Sequence, residues 1–266
     1  MYSTNYHRAS SVADAVKLLK KADDGKFVSG GMTLIPAMKT RLAAPSDLVD
    51  LRHVPELKGV KISGKTVTIG AATTHAEVAA NAKLASVCPA ICNLAAHIGD
   101  PHVRHMGTIG GSVANNDPAA DYPAALLALG ATIVTNKREI AADKFFTGLF
   151  ETALKDDEVI TAVTFTAPAK CGYAKFPNPA SRYAMTGVFV AKAKDGVRVA
   201  VTGAGEDGVF RSKEIEAALS KKFDASALEG VSVSAGTLMS DIHANAEYRA
   251  NLVVVMAKRA VASANG

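Results

Sequence analysis

Two glycine pairs, Gly30–Gly31 and Gly110–Gly111, constrain how this 266-residue chain can fold more than any other feature. The first lies between Lys26-Phe-Val-Ser29, which reads as a short strand, and Met32 to Lys39, which reads as the start of a helix. The order is strand, glycine turn, helix N-terminus. Residues without a Cβ let a backbone approach another group closely, and successive N–H groups at such a turn form a nest for an anion such as a phosphate. The second pair stands in Thr108-Ile-Gly-Gly-Ser112, inside a segment from Val103 to Asp121 that Gly107, Gly110, Gly111, Asn115 and Pro118 break up; it reads as a run of loops. Taken singly, either pair reads first as a plain tight turn.

Around these loops the apolar spacing predicts a mixed α+β chain. Ser11 and Asp14 form a capping-box pattern ahead of a first helix, with Gly25 placed for a left-handed helix end. Asp47 to Leu51 is a short strand, and Val60 to Ala72 a hairpin turning at Ser63-Gly64-Lys65. Thr74-His-Ala-Glu77 is a second capping box, opening a helix to about Leu84, and Ala85 to Ile98 continues at helical spacing. Leu126 to Thr135 and Val159 to Phe165 read as buried strands, with a helix at Phe145 to Leu154 between them. After Pro177-Asn-Pro179, Tyr183 to Ala193 and Gly196 to Thr202 alternate as antiparallel strands; helices follow at Ser212 to Ser220 and Asn245 to Ala262. The expected organisation is a domain at 1–177, in subdomains of about 1–55 and 56–177, and a small α/β domain at 180–266.

Composition removes several function classes. The longest apolar stretches, such as Leu252 to Ala257, fall far short of a membrane span of roughly 20 residues. Met1 to Ser11 carries no apolar export segment, so a cytoplasmic setting is expected. Three cysteines, Cys88, Cys92 and Cys171, cannot ligate an iron–sulfur cluster that needs four thiolates, and Cys88 and Cys92 read as small core residues on one helix face. The net charge of +5 is spread thinly rather than gathered in a stripe with aromatics, which argues against nucleic acid. His97, His102 and His105 lie close in sequence but lack a metal-ligand spacing, so no metal site is expected. No residue is assigned a catalytic acid, base or nucleophile role. Gly203-Ala-Gly-Glu-Asp-Gly208 fits G-x-G-x-x-G, yet Val-Phe-Arg follows it instead of a helix, which is poor context for a dinucleotide fold.

The two glycine loops taken together, with Asp47-Leu-Val-Asp-Leu51, Thr68-Ile-Gly-Ala-Ala-Thr-Thr-His75, Val103-Arg104, Ser240-Asp-Ile-His243 and Tyr248-Arg249, resemble the FAD-binding (medium) subunits of the molybdenum hydroxylases, the family of the carbon monoxide dehydrogenase medium chain and the xanthine dehydrogenase FAD domain. The likeness runs through essentially the whole chain. It implies a two-part FAD-binding domain of the molybdopterin dehydrogenase type followed by a small C-terminal domain. It also implies that the first loop, Phe27, Val28, Ser29, Gly30, Gly31, Met32, Thr33 and Leu34, wraps the FAD pyrophosphate, and that Thr108, Ile109, Gly110, Gly111 and Ser112 approach from the other side. Asp121 falls at the family's carboxylate position for a ribose or nearby hydroxyl, Ile160 at a backbone contact, Lys175 at a lysine near the flavin, and Tyr183 at an aromatic covering one flavin face. Asp121 is also placed to be a plain helix N-cap. Met32 stands where His is common and His105 where Asn is usual; neither change removes a backbone donor.

The implied function is electron transfer. A molybdenum cofactor-binding large subunit oxidises the substrate, a small subunit with two [2Fe–2S] clusters relays electrons, and this chain's FAD passes them to an external acceptor. Arg104, His102 and His105 are candidates for the contact with the iron–sulfur subunit. Two rival readings are a stand-alone NAD-dependent enzyme using Gly203 to Gly208 and a non-catalytic module binding another anion.

Overall fold

Ser11 starts the first helix as its N-cap, its hydroxyl accepting from the Asp14 N–H at 3.1 Å. This computed structural model describes residues 1–266. The N-terminal layer is β1 (Asn5–Arg8), α1 (Val12–Leu19), β2 (Gly25–Val28), α2 (Leu34–Lys39) and β3 (Asp47–Asp50). β3 is central, with β1 and β2 parallel on either side. Gly25 is the first residue of β2 rather than a helix end, because α1 stops at its Lys20 cap.

The middle of the chain builds a five-stranded antiparallel sheet, ordered β4 (Val60–Ser63), β5 (Thr66–Gly70), β10 (Ile160–Thr166), β6 (Thr132–Thr135) and β7 (Glu139–Ala141). Helices α3 (His75–Ala79), α4 (Ala82–Val87), α5 (Pro89–Ala96), α6 (Pro101–Met106), α7 (Ile109–Asn115) and α8 (Tyr122–Ala128) run between β5 and β6. The expected helix from Thr74 to Leu84 breaks in two. Its capping box forms as read, Thr74 with Glu77, but Asn81 accepts from the Leu84 N–H and so caps a new helix. Cys88 consequently sits at the junction of α4 and α5 rather than on one helix face with Cys92.

Three further expectations give way. Residues 103–121 are not a run of loops: Asp100 caps α6 with Pro101 in the first turn, Thr108 caps α7, and Gly110 and Gly111 lie inside α7. Leu126 to Thr135 is not one strand, since α8 runs to Ala128 before Gly130, at φ +57°, turns the chain into β6. Every residue of α8 is buried, so no polar face marks it as helical. Finally, Phe145 to Leu154 is not a helix. A short α9 (Ala142–Phe145) ends there, and β8 (Phe146–Gly148) and β9 (Glu151–Thr152) form a small hairpin.

The C-terminal sheet is antiparallel, in the order β11 (Lys170–Pro177), β12 (Ala184–Ala193), β13 (Gly196–Thr202) and β14 (Phe210–Arg211). It packs against α10 (Lys213–Lys221) and the long α11 (Ala246–Asn265) over a core that includes Val188, Val199, Val253 and Met256. β11 pairs along its length with β12, so this sheet takes in residues that the sequence reading assigns to the preceding domain. Gly203 to Gly208 leaves an antiparallel strand and leads into β14, which is not the strand-to-helix turn of a dinucleotide fold. No helix is long and apolar enough to cross a membrane.

Candidate functional site

A cleft of about 900 Å³ opens where the N-terminal layer, the α6–α7 region and the end of β11–β12 meet. That volume is within the roughly 300–1,000 Å³ typical of small-molecule sites. All of the residues that the resemblance assigns to the cofactor line it except Ile109 and Lys175, and the candidate partner-contact residues His102, Arg104 and His105 lie outside it. Ile109 points into the core instead, fully buried, and its N–H donates to Thr73 O at 3.1 Å.

The two glycine loops do different work. In the first, Ser29, Gly30, Gly31, Met32, Thr33 and Leu34 donate no backbone hydrogen bond within the chain, so six successive N–H groups are available where β2 passes into α2. Gly31 makes the turn at φ +71°. This is the arrangement an anionic pyrophosphate requires. The second loop has no such open nest, contrary to the expectation for paired glycines. The Gly110 N–H donates to Ala71 O at 2.8 Å, the Gly111 N–H to Thr108 Oγ1 at 3.2 Å and the Ser112 N–H to Thr108 O at 3.0 Å. Gly110 is needed for packing: a Cβ there would lie 2.5 Å from the Ala71 Cβ. Gly111, by contrast, would meet only Thr108 Oγ1, at 3.0 Å, and so presents an open face to the cleft. The loops are joined by a hydrogen bond from Thr108 Oγ1 to Ser29 Oγ at 3.0 Å.

Asp121 lies at the N-terminus of α8 but makes no side-chain cap. Its carboxylate accepts from Tyr173 and pairs with Lys175 at 2.9 Å. Burial pushes the Asp121 carboxyl upward, and the Lys175 ammonium and Tyr173 hydroxyl oppose that shift. Lys175 is buried behind Asp121, with its ammonium also donating to His97 O at 2.9 Å. Tyr183 is 47% exposed at the cleft wall, and Ile160 begins β10 beside Val159 and Leu154.

Sequence reasoning missed several cleft residues, among them His75, Ile98, Asp100, Val103, Asn115, Asp117 and Phe150. His75 is 4% exposed, its Nδ1 has no hydrogen-bond partner, and burial together with the Arg104 charge lowers its pKa to about 4. The capping box marked this segment as a helix start but carried no sign that the ring faces a cleft. Phe150 adopts φ +55° at the tip of the β8–β9 hairpin and is held there by Asn116. The Asn116 side-chain amide donates to Gly148 O and Glu151 O, both at 2.8 Å, while the Asn116 backbone carbonyl accepts from the Phe150 N–H. His97 and His105 use Nδ1 on the carbonyl oxygens of Asn93 and Pro101, four residues back.

A family model described as the FAD binding domain in molybdopterin dehydrogenase matches residues 2–168. The carbon monoxide dehydrogenase medium chain of Afipia carboxidovorans is 35% identical over 97% of this chain and 96% of its own length. The nicotine 6-hydroxylase medium subunit of Paenarthrobacter nicotinovorans is 34% identical over 97% of this chain and 96% of its own length. In three dimensions, the reconstituted CO dehydrogenase from Oligotropha carboxidovorans matches with a TM-score of 0.89 and 35% identity, covering 99% of this chain and 98% of that one.

Proposed function

The chain belongs to the FAD-binding medium subunits of the molybdopterin dehydrogenases, and from that membership we propose that it relays electrons from the [2Fe–2S] clusters of a small partner subunit to an external acceptor. It is an FAD-carrying subunit of an oxidoreductase complex. In the proposed complex a separate large subunit holds the molybdenum cofactor and oxidises the substrate, for which CO, an aldehyde and an N-heterocycle are the candidate classes. The cytoplasm is the proposed location.

The observation that carries the reading is the run of six unengaged N–H groups at Ser29 to Leu34, set in a cleft with apolar walls at Ile98, Val103, Leu154, Val159 and Ile160. A dinucleotide with two adjacent negative charges and a flat ring system calls for such a combination of convergent donors and apolar surface. FAD supplies the redox chemistry when bound; this chain supplies position and electrostatics. The first loop holds the pyrophosphate through Phe27 to Leu34. The second, Thr108 to Ser112, closes the cleft through the Gly111 face and side-chain hydroxyls rather than through free N–H groups. Asp121 accepts from a sugar hydroxyl, and Tyr183 lies over the ring. Arg104, His102 and His105 on α6 form part of the contact with the iron–sulfur subunit.

The test is to purify the protein from its source, identify the accompanying chains by mass spectrometry, and follow flavin reduction by stopped-flow absorbance. Substrate should bleach the flavin when the partners are present. Rapid reduction by substrate in their absence would sink the relay.

A further inference from the structure

Asp121 stands at the cleft wall, yet its carboxylate is fixed by the C-terminal sheet rather than by either glycine loop. Tyr173 donates to Oδ1, and Lys175 Nζ lies 2.9 Å from Oδ1 and 3.1 Å from Oδ2. Tyr173 and Lys175 are two residues apart on β11, so both side chains project from one face of the C-terminal sheet. Tyr173, Lys175 and Asp121 are all buried, so this is a satisfied polar cluster shielded from water.

The sheet is shaped around the phenol. Gly187 on β12 stands opposite Lys175, and a Cβ at Gly187 would lie 2.6 Å from the Tyr173 hydroxyl. The same sheet fastens the turn that leads to Asp121. Thr202 Oγ1 donates to Ala120 O at 2.6 Å, and the Gly203 N–H donates to Pro118 O at 2.8 Å.

We infer that Tyr173 is a positioning residue that acts on the cofactor through Asp121. It holds the carboxylate in one orientation, paired with Lys175, with its remaining acceptor capacity turned to the cleft. An ionised carboxylate offers about four acceptor positions, and Tyr173 and Lys175 occupy most of them. The group left to bind there is a neutral hydroxyl donor from the sugar or ribityl part of the dinucleotide; a phosphate oxygen is repelled. This inference rests on the reading of the cleft as the FAD site.

The experiment is a double-mutant cycle on FAD affinity, measured by fluorescence titration of the flavin-stripped full-length chain, with the urea midpoint recorded in parallel. Tyr173→Phe is expected to weaken FAD roughly fivefold or more, the loss of one hydrogen bond to a charged group. Asp121→Asn weakens it at least as much. The double variant binds no worse than Asp121→Asn alone, because Tyr173 has no route to the ligand except Asp121. Losses that multiply, or a Tyr173→Phe chain that binds FAD like the wild type, would overturn the inference. Should Tyr173→Phe fail to fold, Gly187→Ala displaces the same hydroxyl and is read by the same cycle. A wild-type chain that binds no FAD refutes the cofactor reading itself, a result distinct from failure of the cycle.

Discussion

Gly30 and Met106 are in such close contact that a Cβ on Gly30 would lie 2.2 Å from the Met106 carbonyl oxygen. The turn after β2 is therefore seated on the C-terminal end of α6, and the two glycine loops face the cleft as one packed unit. The backbone of α6 cannot move aside as a flexible side chain could, so even a methyl group at position 30 separates the loops.

The three glycines should thus fail in different ways. Gly30→Ala and Gly110→Ala are expected to lower the stability of the flavin-free chain by about 2 kcal/mol or more, because both added methyls meet backbone. Gly111→Val should keep the flavin-free stability within about 1 kcal/mol and weaken FAD by roughly tenfold or more, since its side chain enters the cleft. Urea unfolding and FAD titration of the three variants separate the two effects; a Gly111→Val chain with full affinity would place the cofactor elsewhere.

His75 should make the fold acid-sensitive. Its folded pKa of about 4 lies below the ordinary value of 6.5, so the unfolded chain binds the extra proton first. Stability is then highest above pH 6.5 and falls as the pH drops toward 4. His75→Leu removes this penalty together with a buried nitrogen that has no partner. Relative to wild type, the leucine variant should gain about 2 kcal/mol on going from pH 7 to pH 5. Urea midpoints at the two pH values measure it, and parallel pH profiles would show that His75 titrates normally.

Tyr183 sits half-exposed at the cleft wall and contributes none of the open N–H groups, which belong to the first loop. Tyr183→Ala should leave most FAD bound while shifting the flavin's visible bands and raising its fluorescence, because a stacked ring is lost and the phosphate contacts remain. Absorbance and emission spectra of the loaded variant decide this; spectra identical to wild type would put the ring away from the flavin.

The flavin-loaded chain alone should not oxidise CO, aldehydes or purines with an artificial acceptor. Its three cysteines are all buried, with Cys88 and Cys171 at 3.5 Å from each other, and cannot hold the clusters that feed a flavin. Activity should appear when the two partner subunits are added. Substrate-dependent turnover by the single chain, with partners excluded by mass spectrometry, contradicts the relay.

Features set by neighbours along the chain were legible from residue order. The Ser11 cap, the Thr74–Glu77 capping box, the hairpin at Gly64, the strand–glycine–helix order at 26–39 and the antiparallel strands after Tyr183 each depend on residues within a few positions of one another. The whole-chain resemblance added the cofactor. What the tertiary structure decided depends on partners far away in sequence. Gly110 looked like part of a phosphate nest, but Ala71, brought beside it by the β5–α3 connection, takes its N–H and occupies the space next to it. Val103 to Asp121 looked like loops because glycine and proline mark both turns and helix starts, and the Asp100 and Thr108 caps resolve that ambiguity once the chain is folded. Asp121 looked like a helix cap, and its carboxylate turned instead to Tyr173 and Lys175, more than fifty residues later. A buried charge needs a partner wherever the fold can supply one, and that choice is made by the packing of α8 against β12 and β13 and of α5 against β11, not by any local pattern.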